Sequence, residues 1–277
     1  MSFFNYLYPN FLRLERLTDF KNILLKTPEY LFHFLIVNSP IAYTLYNNTF
    51  NINIFCVAYL GCGILQGIIN SILYYVSDIL FFGKQIDINL WKKTNFYNLS
   101  VYNTDATYLY VIGAMAYTSL TIVPESMRWT ISYPGYWIIL LQIFNLFILH
   151  DVFFTFIHYF VHKIKYFRIP HLKWHHDCPF DIGSSRCATA TEGIEGLFRD
   201  LYSAFIPTYI ISYCGIPFSC YTWIIYYSLY SFWAMYIHTG VNIYHKIHHS
   251  ANYNLNYGIY YITDYLIGTL VLTEKKN

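Results

Sequence analysis

Five apolar runs set the layout of the chain. Leu31–Tyr46 is short and contains Pro40, Asn51–Val76 carries no charge, and Thr107–Val123 and Tyr136–Leu149 follow. A helix needs roughly 20 apolar residues to cross the hydrocarbon core of a bilayer, so the second run is long enough and the others are candidates of the same kind. The fifth, Leu201–Ile237, holds 37 residues without a charge. It is too long for one crossing, and Gly215-Ile216-Pro217 near its middle breaks a helix, so it predicts a hairpin that goes in and comes back. Polar segments separate the runs, the largest from Lys163 to Asp200. The pattern predicts an all-α fold: a multi-span integral membrane helical bundle, one domain over residues 1–277, without internal repeats.

Composition strengthens that picture. Hydrophobic residues make up 56% of the chain and charged residues only 12%, too apolar a balance for an ordinary soluble domain. Net charge is +2, which gives no basis for a nucleic-acid partner. The 22% aromatic content, mostly Tyr and Phe, reads first as compositional drift of the genome, and aromatic belts at a membrane surface would explain part of it. The six cysteines (Cys56, Cys62, Cys178, Cys187, Cys214 and Cys220) show no metal spacing and read as free and mostly buried. Met1–Lys26 carries Arg13, Arg16, Lys21 and Lys26 with no long apolar core, so no cleavable signal peptide is expected.

The polar residues that matter are histidines. Ten of the 11 lie between His150 and His249, in the order His158-x-x-x-His162, His171-x-x-x-His175-His176, His238, and His245-x-x-His248-His249. On a regular helix His158 and His162 lie about 40° apart. His245, His248 and His249 span about 100°, so all three are expected to converge on one point. His171, His175 and His176 span about 140°, more than one regular helix accommodates well; Pro170 and Cys178-Pro179 frame a short helix with room for distortion. Imidazole suits Zn, Cu, Fe and Ni alike, but eight or nine ligands are too many for one tetrahedral ion and imply two metals. His33 reads as an ordinary polar residue, and His150 is open between a ligand and a buried polar group.

The hairpin matters here, because it returns His238 and the third box to the side of the first two. Charge supports the same arrangement. Of the 17 Lys and Arg, only Arg128 falls on the side away from the histidines. The excess of positive charge then places the histidine-rich cap in the cytosol.

At these residues the chain resembles the membrane fatty-acid hydroxylase and sterol desaturase superfamily, over roughly Asp151 to Thr269. The three boxes match the family's succession, and Asp151 stands seven residues before His158 as the family's aspartate does. His238-Thr239-Gly240 is similar to its H-S-G or H-D-G element. Asn256-Tyr257-Gly258, Asp264 and Gly268-Thr269 look like its N-Y-G…W-D-R-x-x-G-T close. Glu192 stands where relatives carry a histidine, Tyr159 replaces an arginine, and only six residues separate His238 from His245.

The resemblance implies an iron-dependent oxidoreductase of the endoplasmic reticulum membrane with a catalytic region over 150–269. It implies two non-haem iron ions, dioxygen as co-substrate, and NAD(P)H-derived electrons delivered by a reductase and a b-type cytochrome. The substrate would be a membrane lipid or sterol oxidised at an unactivated C–H bond. The short matches lean towards sterol C-5 desaturation, with fatty-acid or sphingolipid hydroxylation as the alternative. By resemblance the metal ligands and catalytic residues are His158, His162, His171, His175, His176, His238, His245, His248 and His249, and Asp151 and Asp264 are supporting partners. A membrane metal- or haem-binding protein without oxygenase activity is the competing class.

Overall fold

A computed structural model describes residues 35, 38–82, 106–176, 197–239, 241–250 and 254–272. The readings made on Met1–Lys26, His33, Cys178, Cys187, Glu192 and Gly240 lie outside the described residues. What is described is all-helical, with no strand among the described residues. After a helical segment over 38–46, α1 (Ile52–Cys56) runs through a π-helical stretch, Val57–Leu65, into α2 (Gln66–Phe82). Then come α3 (Ala106–Thr121), α4 (Tyr136–Lys163) and α5 (Lys165–His171), which passes into a second π-helical turn, Leu172–His176. A third, Leu197–Tyr202, leads into α6 (Ser203–Tyr213), followed by α7 (Cys220–Ile237), α8 (Ile243–Ser250) and α9 (Ile262–Ile267).

Two helices are long and apolar enough to cross a membrane: Ile52–Asn70 and Tyr136–Lys163. The first of these helices starts where Asn51, extended at φ −127°, accepts hydrogen bonds from the Asn53 and Ile54 amides through its side chain. α3 packs against the Val57–Leu65 stretch at close range. A Cβ at Gly113 would lie 2.8 Å from the Tyr59 ring, so only glycine permits that approach.

The hairpin expected within Leu201–Ile237 is present. α6 and α7 are joined by a turn in which Gly215 has φ +92°, a conformation that favours glycine. Pro217 sits beyond the end of α6, and the Ser219 side chain caps α7 by accepting from the Tyr221 amide. The Thr130 amide donates to the Phe218 carbonyl and the Cys220 amide to the Thr130 carbonyl, which pins the turn to the loop before α4. Beneath it, Trp129 stacks on Phe205 with ring centroids 5.3 Å apart, and its indole N–H donates to Thr208.

α4 places the first box. Its buried side chains, Ile139, Gln142, Ile143, Leu146, His150, Phe154, His158 and Val161 with Asp151 and His162, recur every three or four residues. One stripe of this helix is therefore apolar towards Gly135 and becomes histidine-bearing towards its end. Pro170 lies inside α5 rather than at its start, which corrects the expectation that it opens the helix of the second box. It brings no amide hydrogen to the ladder, and the winding changes from α to π just after it.

Candidate metal centre

The structure brings the eight box histidines and His238 together as two adjoining groups. His158, His162, His171, His176 and His248 form one, and His175, His238, His245 and His249 the other. Within each group the ligand atoms lie within 4.8 Å of one another. All nine side chains are buried. The groups touch: the rings of His176 and His249 stack at 4.4 Å, and those of His171 and His175 lie 5.0 Å apart.

Helical winding explains the sorting. His158 and His162, one α-turn apart, share the first group, and His245 and His249, also one turn apart, share the second. His248 does not join its box neighbours. The expected convergence of all three on one point is therefore corrected: the roughly 100° between the ring directions is used to serve both groups. In the second box the π winding, with its i to i+5 register, puts His171 and His176 in the first group and turns His175 towards the second.

Several rings have their orientation fixed by backbone carbonyls, which can only accept. His158 Nδ1–H donates to Tyr257 O at 2.8 Å, His248 Nδ1–H to Leu255 O at 2.7 Å, and His238 Nδ1–H to Ala234 O at 2.7 Å. In each neutral ring the proton is then on Nδ1 and the Nε2 lone pair faces inwards. His158 Nε2 lies 3.1 Å from His171 Nε2 and 3.3 Å from His162 Nε2. His238 Nε2 lies 3.3 Å from His175 Nε2 and 2.8 Å from His245 Nε2, which is 3.1 Å from His249 Nε2. Nitrogens bound at about 2.0–2.1 Å to a common ion lie at about such separations from each other. His248 Nε2 is buried without a hydrogen-bond partner. Into the inward-facing lone pairs of His158 and His238 a neighbouring ring can donate an Nε2–H, or a cation can take its place. Each group is a buried histidine cluster that could hold metal.

Electrostatics keeps the ligands neutral. Burial, then the nearby Arg199 charge, pushes His171 and His175 well below the usual histidine range. Burial and neighbouring imidazoles do the same to His245 and His249. His248 falls to about 3 through burial, although its bond to Leu255 O works the other way. Neutral imidazole is the metal-binding form.

The C-terminal motif residues build the support for the first group. Asn256, at φ +56°, holds its loop by donating to Tyr244 O and Val271 O and accepting from the Val271 amide. Asp264 accepts from the Tyr257 amide at 2.9 Å, the Gly258 amide at 2.5 Å and Thr269 Oγ1. Asp151, on α4, accepts from the Tyr260 and Thr263 amides at 2.7 Å each. A Cβ on Gly258 would lie 2.7 Å from Asp264 and 2.9 Å from both Asp151 and Thr155, so the loop closes only on glycine. Both aspartates thus position the carbonyls that orient His158 and His248, and neither belongs to the histidine groups.

His150 stands apart from both groups. Its Nδ1 lies 2.6 Å from Tyr226 OH and its Nε2 3.0 Å from Ser203 Oγ. Arg199 was not singled out along the chain, where it counted only as one of the positive charges of the Lys163–Asp200 polar segment. It is 2% exposed, pairs with Asp200 at 2.8 Å, and reaches His171 Nδ1 at 3.3 Å. The available signal was its position, in an Arg199-Asp200 pair of opposite charges immediately before 37 uncharged residues. No family model, curated protein or solved structure matches this chain.

Proposed function

We propose that the chain is a non-haem di-iron, dioxygen-dependent lipid oxidase that attacks an unactivated C–H bond of a membrane lipid, with sterol C-5 desaturation the leading candidate. One observation carries the reading: nine buried imidazoles form two adjoining groups at the end of a helix apolar enough to cross a bilayer. At about 1.5 Å per residue, some 20 residues of α4 counted from Tyr136 fill a hydrocarbon core of about 30 Å. That count ends near Thr155, one turn before His158. The groups then lie at the bilayer face, where the chain of a lipid can enter from the side and an electron donor can approach from the cytosolic face of the endoplasmic reticulum.

Two irons bound by these histidines would supply the binding of dioxygen and the oxidising equivalents that C–H cleavage requires. The protein supplies everything else. The carbonyls of Tyr257, Leu255 and Ala234 hold three rings in the ligating tautomer, and hydrogen-bond acceptors placed behind metal-binding imidazoles in this way tune affinity as well as geometry. Phe154 and Tyr257 pack on the His158 ring at 5.3 and 5.8 Å and shield it from water, which would protect a strong oxidant from side reactions. Electrons are expected from NAD(P)H through a reductase and a b-type cytochrome. The packing favours two metals over haem: facing imidazoles with centroids 4.2–5.0 Å apart leave no gap for a macrocycle.

The test has two parts. Protein purified anaerobically should hold two irons per chain and lack a Soret band. Expressed in a yeast strain lacking C-5 sterol desaturation, it should restore the missing sterol, read by mass spectrometry. A changed fatty-acid or sphingolipid hydroxylation profile would move the substrate to the alternative. A single zinc without iron, or a haem spectrum, would overturn the reading.

A further inference from the structure

The His150 network has a direction that the histidine groups do not explain. It ends on the Arg199 carbonyl, which can only accept, and Ser203 Oγ–H donates to that carbonyl in a short bond. Ser203 Oγ therefore accepts from His150 Nε2–H at 3.0 Å. With its proton on Nε2, neutral His150 presents a bare Nδ1, and Tyr226 O–H donates to it at 2.6 Å. The Tyr260 hydroxyl, 3.4 Å away, is left to donate to the Tyr226 oxygen. Tyr226, His150 and Ser203 are each 0% exposed. Because a carbonyl closes the chain, no proton can pass through it. A proton can move only the one step from Tyr226 to His150.

We propose that Tyr226 and His150 form a proton-coupled one-electron redox pair that drains oxidising equivalents from the histidine centre when no lipid is in place. This rests on the di-iron reading above. In the forward step the Tyr226 O–H bond breaks and its proton forms an N–H bond at His150 Nδ1. The electron leaves to a strong one-electron oxidant of the class that dioxygen or peroxide generates, and a neutral phenoxyl radical and an imidazolium remain. The reverse step takes one electron from a reductant of the thiol or cytochrome class, and His150 returns the proton. Ordinarily, oxidising a buried tyrosine is opposed by the proton that has nowhere to go; here the acceptor is already hydrogen-bonded.

A path of rings leads to the pair. The Tyr226 and His150 centroids are 5.8 Å apart, those of His150 and Phe154 6.1 Å, and those of Phe154 and His158 5.3 Å. The Arg199 guanidinium lies 6.0 Å from the Phe154 centroid, so its charge disfavours a resting hole on Phe154. Positive charge moves on to Tyr226.

The decisive measurement does not need iron. Metal-free protein in deuterated buffer would be oxidised by flash-generated ruthenium(III) tris-bipyridyl, frozen, and examined by electron paramagnetic resonance and deuterium double resonance. The long-lived radical should be a phenoxyl with one strongly coupled exchangeable deuteron. Tyr226→Phe, which removes only a hydroxyl, should abolish that component and leave the thermal melt of the protein close to wild type. His150→Gln should keep a phenoxyl signal, shorten its lifetime and lose the coupled deuteron. The same long-lived signal in Tyr226→Phe, or a wild-type radical without that deuteron, would overturn the pair. Iron analysis of the protein as purified, before the metal is removed, reports separately on the di-iron reading, so the two failures are distinguishable.

Discussion

The two histidine groups contain similar ligands but are held differently. The five-histidine group depends on distant chain: His158 and His248 are oriented by carbonyls of the 254–261 loop, which is closed by Asp151 and Asp264. The four-histidine group relies on nearer support, since His238 is oriented by Ala234 of its own helix and His245 and His249 share one turn. Both groups are tertiary assemblies, but the bonds that orient the first come from a distant loop and the one that orients His238 in the second comes from its own helix. Damage to the loop should therefore separate them.

The largest effect belongs to the ligands. His248→Ala and His245→Ala should each abolish lipid oxidation and each cost one metal ion per chain, measured by metal analysis of membrane-extracted protein. If either variant kept both ions and normal turnover, the division into two groups would be wrong. Next comes Asp264→Asn, which sets an amide N–H₂ against donors that need an acceptor. It should weaken metal binding by about 10–100-fold at the five-histidine group alone, followed by chelator titration. Equal loss from both groups would erase the distinction drawn here.

Gly258→Ala is expected to be milder, costing about 1–3 kcal/mol in stability as the loop shifts away from Asp264, Asp151 and Thr155. A thermal melt with and without added metal checks it, and the metal-bound protein should show the larger drop. The smallest effect near neutrality is that of pH. His171, His175, His245, His248 and His249 are depressed in the folded chain, so below about pH 6.5 the unfolded chain takes up protons that the folded one refuses. Stability of the metal-free protein should be level above that pH. It should fall as the pH drops towards 3, the value to which His248 is pushed. A melting temperature that rises on acidification would contradict the neutral, buried state of these rings.

Much of the site was legible along the chain because helical periodicity is local. The spacing of His158 and His162 already places both on one face, and the break at Gly215 and Pro217 already requires the apolar run to double back. The six residues of the C-terminal motif were visible as a resemblance, but their work was not. Asn256, Gly258 and Asp264 act through backbone amides and carbonyls, which leave no trace in residue identity. The same holds for the sorting of His248 away from His245 and His249, which needs partners from two other helices to define it. Arg199 looked like one more charge of the Lys163–Asp200 polar segment, because burial of a single guanidinium beside Asp200 depends on what folds over it.

The sequence by itself determined the helical class, the hairpin and which histidines are on offer, since periodicity and chain-breaking residues act within a few turns. Only the tertiary structure decided how nine rings divide into two groups, which nitrogen each presents, and that His150 belongs with Tyr226. Those outcomes depend on carbonyls, carboxylates and hydroxyls brought together from segments as far apart as Asp151 and Thr263, a juxtaposition that no local pattern encodes.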